Sequence, residues 1–144
     1  MATNKSKNEK LVKLMKDWQL IEDESIHNAT AILKITTNPI IQMVMEIIRS
    51  DSVNHRKVQQ LIINHFEKES FILTPEELAD FWDLVEEHDK IEKKTIQLAK
   101  DSLLETQSPI VAYFINYLLV DEKKHDELLE EMSRIKQGMY PYGG

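Results

Sequence analysis

The sequence has no cysteine and few glycines, and each shortage excludes classes of protein. Without cysteine the chain cannot form disulfides, iron–sulfur centres, thiolate zinc sites or a cysteine nucleophile. No apolar run approaches the roughly 20 residues that a membrane-spanning helix needs. Three glycines and four prolines in 144 residues favour a helix-rich protein.

Acidic residues outnumber basic ones, 25 to 18, and the formal net charge is −7. Without a basic stripe, neither nucleic acid nor an anionic membrane is an expected partner. The polar, lysine-rich residues 1–10 lack the apolar core of a secretory signal. We therefore expect a cytoplasmic protein, and the length of residues 1–144 predicts a single domain.

The chain repeats itself after 70 residues without a gap. The chemically important matches are Glu22 with Glu92, Asp51 with Asp121, and His55 with His125. One matched position differs in chemistry, because Ser52 stands where the second half has Glu122. Each half therefore predicts a helix with one glutamate at a core position, a short turn, and a helix carrying aspartate and histidine.

Apolar residues spaced by threes and fours, together with capping residues, predict an all-α fold of four long helices. The predicted helices run from about Asn8 to Thr36, from Pro39 to about Phe66, from Pro75 to near Thr106, and from Pro109 to about Gly138. Residues 1–8 are expected to fray, and the repeat halves span about 8–66 and 75–136. Asn38 and Ser108 are the expected N-caps before proline, and Thr74 to Glu77 is a capping box.

The register of the helices decides whether the glutamates face the core or the solvent. Each glutamate lies near an apolar residue that could take the core position instead, namely Ile21, Ile91 and Val120. If the glutamates face inward, one layer of the bundle collects several carboxylates and two imidazoles. Such a layer requires protonation or a cation. A pair of divalent metals meets that requirement, and this ligand set suits iron, manganese or zinc.

The order of these residues resembles the ferritin-like di-iron carboxylate superfamily. That pattern has a glutamate on the first helix, a histidine on the second, a glutamate on the third and Glu-x-x-His on the fourth. The resemblance is to bacterioferritin-like and rubrerythrin-like four-helix bundles without the rubredoxin module, and it covers about Lys10 to Ile135. It implies two repeated helical hairpins with a crossover between helices two and three. It also implies a small dimer and a di-iron oxidoreductase acting on Fe(II) with oxygen or peroxide.

The resemblance also implies a role for each matched residue. Glu22, Glu92, His55 and His125 would each bind one metal, and Glu122 would bridge both. Asp51 and Asp121 would orient the imidazoles of His125 and His55, respectively, across the bundle. This second role has a physical basis, because a metal-bound histidine usually donates its other N–H to a carboxylate.

Two positions depart from the superfamily pattern. Ser52 replaces a second bridging glutamate, which leaves two divalent metals one negative charge short unless Asp51 or an outside anion supplies it. Thr95 stands where rubrerythrins carry an extra glutamate. A further histidine, His88, is expected to be packed and hydrogen-bonded rather than to bind metal. Three functions remain open: a di-iron oxidoreductase, a protein that binds metal without turnover, and a structural bundle with an incomplete site.

Overall fold

The computed structural model describes residues 3–138, and all regular structure in that range is helical. The elements are α1 (Asn4–Ile35), α2 (Pro39–Glu67), α3 (Pro75–Leu104) and α4 (Pro109–Gly138). They contain 32, 29, 30 and 30 residues. α1 and α2 are slightly longer than predicted, α3 ends two residues before the predicted Thr106, and α4 has the predicted bounds. Within the described range, none of the four combines the length and the apolar character that crossing a membrane requires.

Side-chain caps begin α2, α3 and α4 where the sequence predicted them. The Asn38 side chain accepts a hydrogen bond from the backbone N–H two residues on, at 2.9 Å. Thr74 and Glu77 form the predicted capping box, with hydrogen bonds of 3.1 and 3.2 Å. The Ser108 hydroxyl accepts from the backbone N–H three residues on, at 3.3 Å. These bonds satisfy backbone donors that have no partner within the helix.

The start of α1 corrects the expectation that residues 3–8 fray, while residues 1 and 2 of that prediction lie outside the described residues. The helix begins at Asn4, and the hydroxyl of its N-cap Thr3 accepts a hydrogen bond from the Ser6 N–H at 3.1 Å. This stretch lacks apolar periodicity, so its sequence pattern does not predict a helix there. Extending an existing helix costs far less than nucleating one, so a capping threonine and polar helix formers suffice.

The chain divides into two compact units, residues 1–72 and residues 73–144. In the described part of the chain, α1 and α2 form the N-terminal hairpin, and α3 and α4 form the C-terminal hairpin. Connections at residues 36–38 and 105–108 are short enough to make αα-hairpins. The expected crossover and the single domain concern how the two hairpins are related, and both stay predictions.

The two helices of each hairpin pack along a contact face that we call its seam. In the N-terminal hairpin, Val12, Met15 and Ile63 form a buried apolar cluster. Ala29 is 2% exposed in α1, and Ala99 occupies the matching position in α3 at 8%. Small side chains at these places allow the paired helices to approach closely.

The observed register places glutamates, rather than their apolar neighbours, at the seams. Glu22 and Glu92 are 6% and 5% exposed, whereas the isoleucine that precedes each is 60% and 46% exposed. The Glu122 side chain is 24% exposed, and nearby Val120 is 67% exposed. The apolar alternatives are therefore excluded, and the buried carboxylates need compensating partners.

Candidate metal centre

Three side chains of the C-terminal hairpin converge at its seam. Glu92, Glu122 and His125 each offer one ligand atom, and these atoms lie within 4.8 Å of one another. His125 Nδ1 is 3.5 Å from Glu92 Oε1 and 3.8 Å from Glu122 Oε2. Glu122 and His125 share a face of α4 because residues three apart are neighbours on a helix surface. Glu92 meets them from α3.

Glu92 is the most constrained member of this group. Its side chain is only 7% exposed. Oε1 lies 2.9 Å from His88 Nε2, which donates to it. No N–H or hydroxyl group among residues 3–138 donates to Oε2. A buried carboxylate oxygen without a donor is costly, and a bound cation is one way to remove that cost.

The carboxyl groups of Glu92 and Glu122 shift each other's pKa in opposite directions. The hydrogen bond from Glu122 lowers the pKa of Glu92, against the opposing effect of burial. The same bond raises the pKa of Glu122, and burial adds to that rise. Of the two carboxyl groups, Glu122 therefore holds a proton more readily than Glu92. A divalent cation would compete with that proton, because ligating carboxylates must be deprotonated.

Asp121 lies beside the histidine on its own helix. Its Oδ2 is 3.4 Å from His125 Nε2, and Nδ1 of the same ring faces the two glutamates. A carboxylate at one ring nitrogen leaves the other nitrogen to bind a metal. Lys124 Nζ contacts the second oxygen of Asp121 at 2.8 Å. The expected contact of Asp121 with His55 lies outside this hairpin and stays a prediction.

The N-terminal hairpin has the same arrangement without the second carboxylate. His55 Nδ1 lies 3.3 Å from Glu22 Oε2, without the geometry of a hydrogen bond. Ser52 is 5% exposed, and its hydroxyl is 2.9 Å from that of Ser25. Asp51 is half-buried and makes no hydrogen bond or ion pair with the described residues of this hairpin. The seam thus offers one carboxylate and one imidazole, fewer than the three ligands of its counterpart.

Three contacts across the seams recur at positions 70 residues apart. They are Glu22–His55 and Glu92–His125, Ser25–Ser52 and Thr95–Glu122, and Asp23–Arg56 and Lys93–Asp126. In the last pair of contacts the charges are reversed. The acidic residue is on the first helix in Asp23–Arg56, at 2.8 Å, and on the second helix in Lys93–Asp126, at 3.3 Å. Both helix pairs therefore pack in the same register. The main difference lies at position 52, where the N-terminal hairpin has a serine paired with Ser25. At the matching position the C-terminal hairpin has Glu122, which belongs to the three-ligand cluster.

A second carboxyl pair lies one helical turn from the cluster. The hydrogen bond between Asp89 and Asp126 lowers the pKa of Asp89 and raises the pKa of Asp126, and Lys93 forms ion pairs with both. Because its folded-state pKa is raised, Asp126 destabilises the fold when ionised, and that penalty disappears as the pH falls through its pKa. Asp89 acts in the opposite sense, since its contribution is lost as the pH falls through its lowered pKa.

Sequence reasoning missed the part that Thr95 plays. Its hydroxyl lies 2.9 Å from Glu122 Oε2, but the sequence marked this position only as a departure from the rubrerythrin pattern. The available signal was its position three residues after Glu92, on the same helix face. His88 forms the expected hydrogen bond, yet its side chain is 59% exposed rather than packed.

Comparisons of the chain with protein-family models, with curated proteins and with solved structures gave no match.

Proposed function

We propose that the C-terminal hairpin binds one divalent transition-metal ion through Glu92, Glu122 and His125. The observation that carries this proposal is Glu92 Oε2, a buried oxygen without a hydrogen-bond donor among the described residues, in a group of three potential ligands. Two ionised carboxylates and one neutral imidazole balance the charge of one divalent ion. In the metal-free protein the neighbouring Glu92 carboxylate, together with burial, raises the pKa of Glu122.

Two carboxylates and an imidazole suit iron, manganese or zinc. Three protein ligands leave coordination positions open, so that small molecules can reach the ion. A bound iron ion would supply one-electron chemistry toward oxygen or peroxide. The chain contributes charge neutralisation through Glu92 and Glu122, and His125 presents Nδ1 to them with Asp121 beside its other ring nitrogen.

The family resemblance supports a wider proposal, a ferritin-like oxidoreductase with two iron ions that oxidises Fe(II) with oxygen or peroxide. It requires Glu22 and His55 as further ligands, within a four-helix bundle that has a crossover. Ser52 favours the narrower proposal, metal binding without turnover. Its hydroxyl is already paired with Ser25, and a protonated serine adds no negative charge.

Anaerobic titration with Fe(II), followed by isothermal calorimetry and metal analysis, tests the proposed site. We expect one ion per chain for the wild type, and no tight binding for Glu92→Gln or Glu122→Gln, since each variant keeps only one carboxylate. Glu22→Gln is the matched control and should still bind one ion. Failure of the wild type to bind would refute the site. Two ions in the wild type, reduced to one in Glu22→Gln, would favour the two-metal proposal.

Oxygen consumption after addition of Fe(II) separates binding from turnover. A protein that binds iron without turnover should take up oxygen no faster than the same Fe(II) in buffer. Uptake that is faster in the wild type and lost in Glu122→Gln would favour the oxidoreductase. Hydrogen peroxide in place of oxygen tests the second oxidant in the same way.

A further inference from the structure

Two side chains of α3 stand on either side of Glu92, one turn before it and one turn after it. His88 Nε2 donates to Glu92 Oε1 at 2.9 Å. Thr95 Oγ1 lies 2.9 Å from Glu122 Oε2 and 2.7 Å from the backbone carbonyl oxygen of Glu92. Each carboxylate of the cluster is therefore anchored through one oxygen by a neighbouring side chain of α3.

The anchoring determines which oxygen is left for an ion. Because His88 occupies Oε1 of Glu92, the oxygen without a donor among the described residues is Oε2. The Thr95 hydroxyl has a single hydrogen to direct to one of two nearby oxygens. A carboxylate is a stronger acceptor than a backbone carbonyl. The Thr95 hydroxyl, 2.9 Å from Oε2, therefore anchors the Glu122 carboxylate.

We propose that His88 and Thr95 are positioning residues that set the metal affinity of the C-terminal hairpin without binding the ion themselves. The inference rests on the proposed function, since it concerns the same three ligands. Groups that hydrogen-bond metal ligands fix the ligand orientation, and their loss typically costs about 10–100-fold in affinity. His88 is assigned to this role because its Nε2 is engaged with Glu92 and its side chain is 59% exposed.

The N-terminal hairpin lacks this pair of positioning residues. Trp18 occupies the position that matches His88, and it is 50% exposed. Ser25 occupies the position that matches Thr95, but its hydroxyl meets the hydroxyl of Ser52. Both anchors therefore occur in the hairpin that also holds three potential ligands, and Ser25 provides a matched control for Thr95.

Titration with Co(II), monitored by calorimetry and by the visible absorption of the bound ion, tests the proposal. Thr95→Val and His88→Ala should each weaken Co(II) binding by about 10–100-fold, with the stoichiometry unchanged. Thr95→Ser and His88→Gln keep a hydrogen-bond donor and should restore wild-type affinity. Ser25→Ala should bind as the wild type does. The Tm of each variant in EDTA shows that the metal-free fold is intact, and Thr95→Ala replaces Thr95→Val if the latter does not fold.

The alternative outcomes are distinct. Wild-type affinity in Thr95→Val or in His88→Ala would overturn the role of that residue. If His88→Gln binds as weakly as His88→Ala and the Co(II) absorption changes, His88 is a ligand and the inference is wrong. If the wild type binds no Co(II), or Glu122→Gln binds as tightly as the wild type, the proposed function itself fails.

Discussion

Ser52→Glu should give the N-terminal hairpin a metal centre of its own. The seam already places Glu22 Oε2 3.3 Å from His55 Nδ1, matching the contact between Glu92 and His125. Ser25 faces position 52 as Thr95 faces Glu122. A carboxylate added at position 52 therefore completes the group of two carboxylates and one imidazole.

Without metal the substitution should destabilise the protein. The variant loses the hydrogen bond between Ser25 and Ser52, worth about 1 kcal/mol. Placing a larger side chain where Ser52 is 5% exposed costs about 1–3 kcal/mol. Together these terms predict a loss of about 2–4 kcal/mol, which corresponds to a fall in Tm of roughly 4–16 °C in EDTA.

Divalent metal should recover much of this loss. A ligand at 100 times its Kd stabilises the folded state by about 2.7 kcal/mol for each site. The wild type, with one site, should gain that amount when Mn(II) is added. The Ser52→Glu variant, with two sites, should gain about 5.4 kcal/mol under the same conditions. Its rise in Tm on adding Mn(II) should therefore be about twice that of the wild type.

Calorimetry and thermal unfolding with and without Mn(II) measure both quantities. Val53→Glu is the matched control, because it adds the same charge at an exposed neighbouring position and should change neither the stoichiometry nor the metal-induced shift. The reasoning is refuted if Ser52→Glu and the wild type bind the same number of ions with equal shifts in Tm. If both bind two, Asp51 or an outside anion already supplies the missing charge.

Three further predictions concern stability in the metal-free protein. Asp126→Asn should raise the Tm at pH 7, because the amide donates to Asp89 without adding charge. The difference in Tm between variant and wild type should disappear as the pH falls through the raised pKa of Asp126. Ala29→Leu should cost about 1–3 kcal/mol by overfilling the seam, while Ala31→Leu, at an exposed position of the same helix, should stay within about 0.5 kcal/mol in urea unfolding. Thr74→Ala should cost about 1 kcal/mol through loss of the capping box, and an unchanged Tm would contradict that role.

The sequence by itself determined the number and type of the elements and most of their starting points. Asn38, Thr74 and Ser108 could be identified because capping depends on residues within one turn of the helix start. The same locality explains the error at Thr3. A cap followed by polar residues carries no apolar periodicity, so the pattern placed the start of α1 several residues too late.

The sequence also selected Glu92, Glu122 and His125, but only the tertiary structure decided that they meet. Adjacent residues differ by about 100° around a helix, so the burial of Glu92 rather than Ile91 depends on how α3 is rotated against α4. The contact of Thr95 with Glu122 depends on the same rotation. The spacing of residues along one helix can be read directly from the sequence. The alignment of two helices depends on how all the side chains of their seam pack together.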